Sequence, residues 1–185
     1  RKQLLNYDDV MNNQREIMYA RRNEILDSES IHNTVLDTIH NHISDLVNSH
    51  IFPEGRLTND DVKDIVEFAN ENLLKKDIDK EEVDNKTPEE IIEVIYEQVL
   101  SEYDAKTKDV PQEIKDEFEK AISLNVIDHH WTEHINTLSH LREGIYLRGY
   151  GQEDPLRAYT MEGFELFDRM MKKIDHDITL MLARS

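Results

Sequence analysis

Cysteine is absent from this 185-residue chain, so neither a disulfide framework nor thiolate chemistry is open to it. Glycine and proline are scarce, five and four residues. With so few chain breakers the sequence cannot make the many tight turns of an all-β fold. Basic residues are outnumbered, 22 Lys and Arg against 40 Asp and Glu, for a formal charge of −18. Phosphate backbones are bound by basic faces, so nucleic acid is excluded as a direct partner. No apolar run nears the roughly 18 residues of a membrane-spanning helix, and no signal peptide is present. An initiating Met is lacking as well; Arg1 in its place is expected of a piece of a longer protein. What remains is one ordinary domain or two small ones, built from helices.

The charge is uneven. Residues 1–30 carry 5 basic and 6 acidic side chains, residues 31–120 carry 10 and 24, and residues 121–185 carry 7 and 10. An acidic, water-facing middle between two nearly balanced ends predicts two structural units, with the ends packed together.

Apolar spacing is helical almost throughout. Leu4, Tyr7, Met11, Met18 and Ile25 form one stripe of a long helix, with a kink or restart at Asp27-Ser28-Glu29-Ser30. Ile31, Val35, Ile39, Ile43 and Val47 carry the stripe on until Pro53 and Gly55 stop it. Thr58 or Asn59 caps a helix bearing Val62, Ile65, Val66, Phe68 and Leu73. After a charged turn at 77–85, Thr87-Pro88-Glu89-Glu90 spells a capping box with Pro at the first helical position. Ile91, Ile92, Ile95, Val99 and Tyr103 follow, and Val110-Pro111 closes a module of about two helices with little core of its own.

From Gln112 to Leu147 there is no Pro and a single Gly. Phe118, Ile122, Val126, Ile127, Trp131, His134, Ile135, Leu138, Leu141 and Ile145 make one continuous stripe. At 1.5 Å per residue this is a helix of about 50 Å. A polar loop, 148–155, precedes a return helix marked by Tyr159, Phe164, Phe167, Met171, Ile174, Ile178, Met181 and Leu182. Asp154 caps that helix and Pro155 takes its first position. The expected fold is all-α: a long scaffold helix, a small acidic helical module, and a long antiparallel hairpin with an exposed tip.

Nucleotide chemistry finds no support. Gly144 and Gly149 have the first spacing of a P-loop, but Tyr150 stands where Lys must reach the phosphates. His130-Trp131-Thr132-Glu133-His134 matches the H-x-x-E-H of inverted zinc peptidases, with His130 and His134 on one helix face and Glu133 placed to activate water. Three fixed positions are a weak signal in a chain with nine His and 40 acids. The packing reading outweighs it: His130 exposed, Trp131 and His134 inside the hairpin. His32, His40, His42 and His50 spread along one helix read as solvated positions. The loop 148–155 is the most informative feature. Two glycines beside Tyr150 on an exposed tip offer a large amphipathic contact surface; the alternative is that Tyr150 folds back onto Leu147 and Leu156.

Taken together, Arg1-Lys2-Gln3-Leu4-Leu5-Asn6-Tyr7-Asp8-Asp9-Val10-Met11-Asn12 with Gln14-Arg15 resembles the start of the helical scaffold of the SecA family of protein-translocase ATPases. Trp131-x-Glu133-His134 and Leu141-Arg142-x-Gly144-Ile145-x-Leu147-Arg148-Gly149-Tyr150-x-Gln152-x-Asp154-Pro155 resemble its two-helix finger. His130 departs from the polar residue expected at its position. By placement, residues 51–112 correspond to the helical wing, between scaffold 1–50 and scaffold plus finger 113–185.

The resemblance implies a fragment with no cofactor and no catalysis of its own. ATP and magnesium are bound in helicase-like motor domains of the full protein, and the work is the pushing of unfolded preproteins through a SecY-type channel. The implied partners are that channel (SecYEG), the preprotein and the motor domains, with a homodimer as an option. The implied location is cytoplasmic and peripheral to the cell membrane. The fingertip role falls on Tyr150, with Arg148, Gly149, Gly151 and Gln152 around it. Two other readings of the residues stay open: a stand-alone helical interaction adaptor, and a zinc hydrolase using His130, Glu133 and His134.

Overall fold

The computed structural model describes residues 6–51, 55–148 and 154–185. Its elements are α1 (Tyr7–Asp27), α2 (His32–Asn48), α3 (Asn59–Asn72), α4 (Pro88–Thr107), α5 (Gln112–Arg148) and α6 (Pro155–Arg184), with one 3-10 turn at Lys80–Glu82. No strand occurs among the described residues. The chain is all-α, as its shortage of breakers requires.

Local chemistry sets the helix starts. Asn6 and Asp9, Thr58 and Asp61, and Thr87 and Glu90 each form a reciprocal capping box, side chain to backbone N–H in both directions at 2.9–3.2 Å. Each satisfies two of the orphan donors of a first turn. Pro88 occupies the first position of α4, as its fixed φ favours. Asp154 Oδ1 accepts from the Leu156 N–H at 3.1 Å and starts α6. The expected helix over the first fifty residues is two helices. Ser28 ends α1 by turning both its hydroxyl (2.6 Å) and its own N–H (3.1 Å) onto the Glu24 carbonyl.

The chain divides into two compact units, the first from Arg1–Glu29 with Ser123–Ile174 and the second from Ser30–Ile122 with Asp175–Ser185. Residues of α5 and α6 contribute to both. The first division along the chain falls at 29/30, where α1 has stopped. In the first unit Met18, Ile127, Leu138 and Ile174 are almost wholly buried. In the second, α2 packs on α4, and Val35, Ile39, Ile43, Ile65, Ala69, Ile91 and Ile95 are buried together with Val83. The acidic module, expected to have little core of its own, takes part in this one. Its helices gain that core from α2, which hydropathy alone assigns to a different element.

A buried carboxylate also belongs to the second unit. Glu119 is fully enclosed, accepts from the Tyr103 hydroxyl at 2.8 Å and lies 3.0 Å from His32 Nδ1. Burial first, and then the carboxylate, push the Tyr103 hydroxyl far above its usual range, so it stays a donor. His32 and His42, expected on the solvated side of their helix, are instead a partner of that carboxylate and a buried side chain.

Candidate functional site

In the first unit α5 and α6 run antiparallel, with α1 against them. A Cβ at Gly163 of α6 would meet Leu138 of α5 at 3.5 Å and Val10 of α1 at 3.6 Å, so the three helices approach closely there. Nearer the joining loop, Val10, Ile145 and Tyr159 form a buried cluster flanked by Tyr7, Leu141 and Ala158. The Tyr7 and Tyr159 rings are 5.0 Å apart and tilted. Arg142 lies over the Tyr7 ring at 4.8 Å and donates to Asp8 at 3.1 Å. Arg148, the last residue of α5, donates to Glu162 of α6 at 2.9 Å. The far end of the hairpin is thus tied both to itself and to the start of α1.

Polar contacts brace the middle of the same unit. Gln14 Nε2 donates to the Gly163 carbonyl at 3.1 Å. That carbonyl only accepts, so the amide orientation is settled and Gln14 Oε1 faces His134 Nε2 at 2.6 Å. His134 must therefore carry its proton on Nε2 and act as a neutral donor. Burial pushes its pKa down to about 4, between the rings of Trp131 at 5.6 Å and Phe167 at 5.7 Å. Arg22 and Asp128 add a two-pronged pair at 2.9 and 3.2 Å. Both are well exposed, so solvent screens the pair and it adds little to stability.

These contacts leave the zinc reading without geometry. His134 Nε2 is engaged by Gln14, and Glu133 turns outward to His129 at 3.3 Å. His130 is buried, not exposed as expected from sequence. Arg169 and Lys173 line the same cleft as His130, Glu133 and His134 and give it positive charge, which disfavours a cation. Among the described residues no group of three His, Asp or Glu is arranged to hold a metal ion.

Of the residues singled out at the tip, Arg148 is in place as the ion-paired end of α5; Gly149, Tyr150, Gly151 and Gln152 lie outside the described residues. Two neighbours escaped sequence reading. Tyr146 and Leu147, the last large apolar residues of α5, are each 76% exposed. Phe164, assigned to the packed stripe of α6, is 67% exposed, and Phe118 of α5 is also on the outside. The signal was a surplus: Ile145 and Tyr159 already fill the seam, so apolar residues beside them have no seam left to enter.

A two-helix hairpin braced on a capped N-terminal helix, with a helical module between them in sequence, invites comparison with known families. Residues 1–185 match the model of the SecA Wing and Scaffold domain. The chain belongs to that family. At the family level its role lies in protein translocation, together with the translocation machinery. No described helix of this SecA domain is long and apolar enough to cross a membrane.

Proposed function

We propose that this SecA chain is the mechanical part of a preprotein translocase. In this reading residues 1–50 are scaffold, 51–112 the wing and 113–185 scaffold plus two-helix finger. The finger couples ATP hydrolysis in motor domains elsewhere in the full protein to the pushing of unfolded preproteins through a SecY channel. ATP and magnesium belong to those motor domains, and the chain has no catalytic residue of its own. It works on the cytoplasmic side of the membrane as a peripheral protein.

The observation that carries this reading is the hairpin itself. Helices of 37 and 30 residues, about 55 and 45 Å of helix at 1.5 Å per residue, are joined by only six residues. Their far end is tied to α1 by the Tyr7, Arg142 and Tyr159 contacts. A lever must be stiff along its length and anchored beside its working end, and these contacts supply both. Tyr150 is the residue proposed to touch the translocating chain, framed by Arg148, Gly149, Gly151 and Gln152. A Tyr grips varied sequences through apolar area and one hydrogen bond, without demanding a particular partner side chain.

The test is transport of a preprotein into channel-bearing vesicles by full-length SecA carrying Tyr150→Ala, with ATP hydrolysis and helix content measured alongside. Transport should fall about tenfold or more, the scale of one contact hot spot, with the fold unchanged. Transport at the parental rate would refute the fingertip assignment.

A further inference from the structure

His42 on α2 and His176 on α6 both lie in the second unit. His42 is 7% exposed, and its Nε2 has no hydrogen-bond partner among the described residues. A buried polar nitrogen left in that condition destabilises the fold, so its placement calls for a physical reason. The His176 ring stands beside it, centroids 4.8 Å apart, while the Phe68 ring lies 6.4 Å from His42.

The second histidine is oriented. His176 Nδ1 lies 3.1 Å from Asp177 Oδ1, which places the ring proton on Nδ1 and leaves the lone pair on Nε2. A carboxylate behind one ring nitrogen is the arrangement that fixes tautomer and direction in metal-ligating histidines. The spacing agrees as well. Two imidazoles bound to one ion at about 2.0–2.1 Å per nitrogen have ring centres about 5 Å apart. The His42 nitrogen is buried and has no hydrogen bond among the described residues to give up on taking a ligand role. His176 is half-buried, which gives an ion a way in.

We propose that His42 and His176 together bind one borderline divalent transition ion, Zn²⁺ first, with solvent water completing the coordination. Imidazole nitrogen suits Zn²⁺, Ni²⁺ and Cu²⁺ and disfavours Mg²⁺ and Ca²⁺, which take oxygen. With two protein ligands the site is an accessory clip between α2 and α6, not a closed structural centre of four. The formal charge of −18 attracts cations to the surface in general, and the pair of imidazoles selects among them.

Calorimetric titration of the 185-residue chain with ZnCl₂ at pH 7.5 tests this, with histidine ¹⁵N spectra recorded in parallel. One Zn²⁺ should bind per chain and shift the Nε2 signals of His42 and His176, while MgCl₂ shifts neither. His42 is buried, and its removal disturbs packing as well as binding. The half-exposed His176→Gln is therefore the cleaner variant, and it should abolish the heat while leaving helix content intact. Asp177→Asn should weaken binding about 10- to 100-fold, the usual effect of losing an orienting partner. Absence of heat in the parental chain, or Zn²⁺ binding to His176→Gln at parental strength, would overturn the proposal.

Discussion

Acidification from pH 7.5 to 5 puts the neutral donor role of His134 to a quantitative test. In the unfolded chain this histidine titrates near 6.5, while burial in the folded chain pushes it down to about 4. Above pH 6.5 both states hold it neutral, and it contributes no pH dependence. Between 6.5 and 4 the unfolded state binds the proton and the folded state does not, so stability falls as pH falls. Below 4 both states are protonated and the loss stops growing. At pH 5 one group with this shift removes about 2 kcal/mol, and the full loss is about 3 kcal/mol. Against a total of about 5–15 kcal/mol for an ordinary domain, that is a large fraction from a single side chain.

Trp131 supplies the assay. It is the only Trp in the chain, its ring is 5.6 Å from His134, and its fluorescence reports urea unfolding at the site in question. Acidification also relieves part of the chain's net charge of −18. His134→Gln subtracts this effect, since its amide still donates to Gln14 but cannot titrate. Between pH 7.5 and 5 the variant should lose about 2 kcal/mol less than the parent. With m of about 1–3 kcal/mol per molar urea, the gap in midpoint is about 1 M. Parallel pH profiles for the two proteins would show that the folded state accepts the proton. The hydrogen bond to Gln14 would then be made by an imidazolium, against the burial argument.

Two further substitutions probe packing in the two units. Gly163→Ala should stabilise the first unit by about 0.5–1 kcal/mol, because Ala is the better helix former and its Cβ would meet Leu138 and Val10 at ordinary contact distances; a lower urea midpoint would mean α1 and α6 have no room to spare. Glu119→Ala should cost about 1–3 kcal/mol by leaving the buried Tyr103 hydroxyl without an acceptor, while Glu119→Gln, which keeps an acceptor oxygen, should cost clearly less. Equal losses in thermal unfolding for the two Glu119 variants would refute that account.

What could be read from sequence was whatever is decided within one or two turns of helix. Thr87-Pro88-Glu89-Glu90 announces its capping box because donor, acceptor and ring are all local. The span of α5 is legible because nothing between Gln112 and Arg148 breaks a helix. The stop at Asp27 is local too: Asp27-Ser28-Glu29-Ser30 flags it and the six-residue step from Ile25 to Ile31 is about 120° out of phase with a straight helix, yet the helical apolar pattern resumes at once with Val35 and Ile39. Apolar periodicity records which face is buried and is blind to whether the axis turns. For that reason α2 reads as an extension of α1 when its partner is α4.

The remaining misses share one cause, which bears on how the chain works. Gln14, His42, His130 and Glu119 are polar and buried, and the partners of Gln14 and Glu119 include residues 149 and 87 positions away. Tyr146, Leu147 and Phe164 are apolar and exposed. A hydropathy argument sends the first group out and the second group in, so it fails on both for the same reason: it prices each side chain without its partners. A buried polar group with its partner in place is held to one arrangement, which makes the Gln14–His134–Gly163 bridge a positioning device that a wholly apolar seam would not supply. An exposed apolar group gains nothing from the fold and contributes free energy only when something covers it. In the first unit that bridge lies between α1, α5 and α6, while Tyr146 and Leu147 stand exposed in the last turn of α5, so position is fixed inside and apolar surface is left available outside. In the proposed reading, that division suits a lever that must push chains of any sequence.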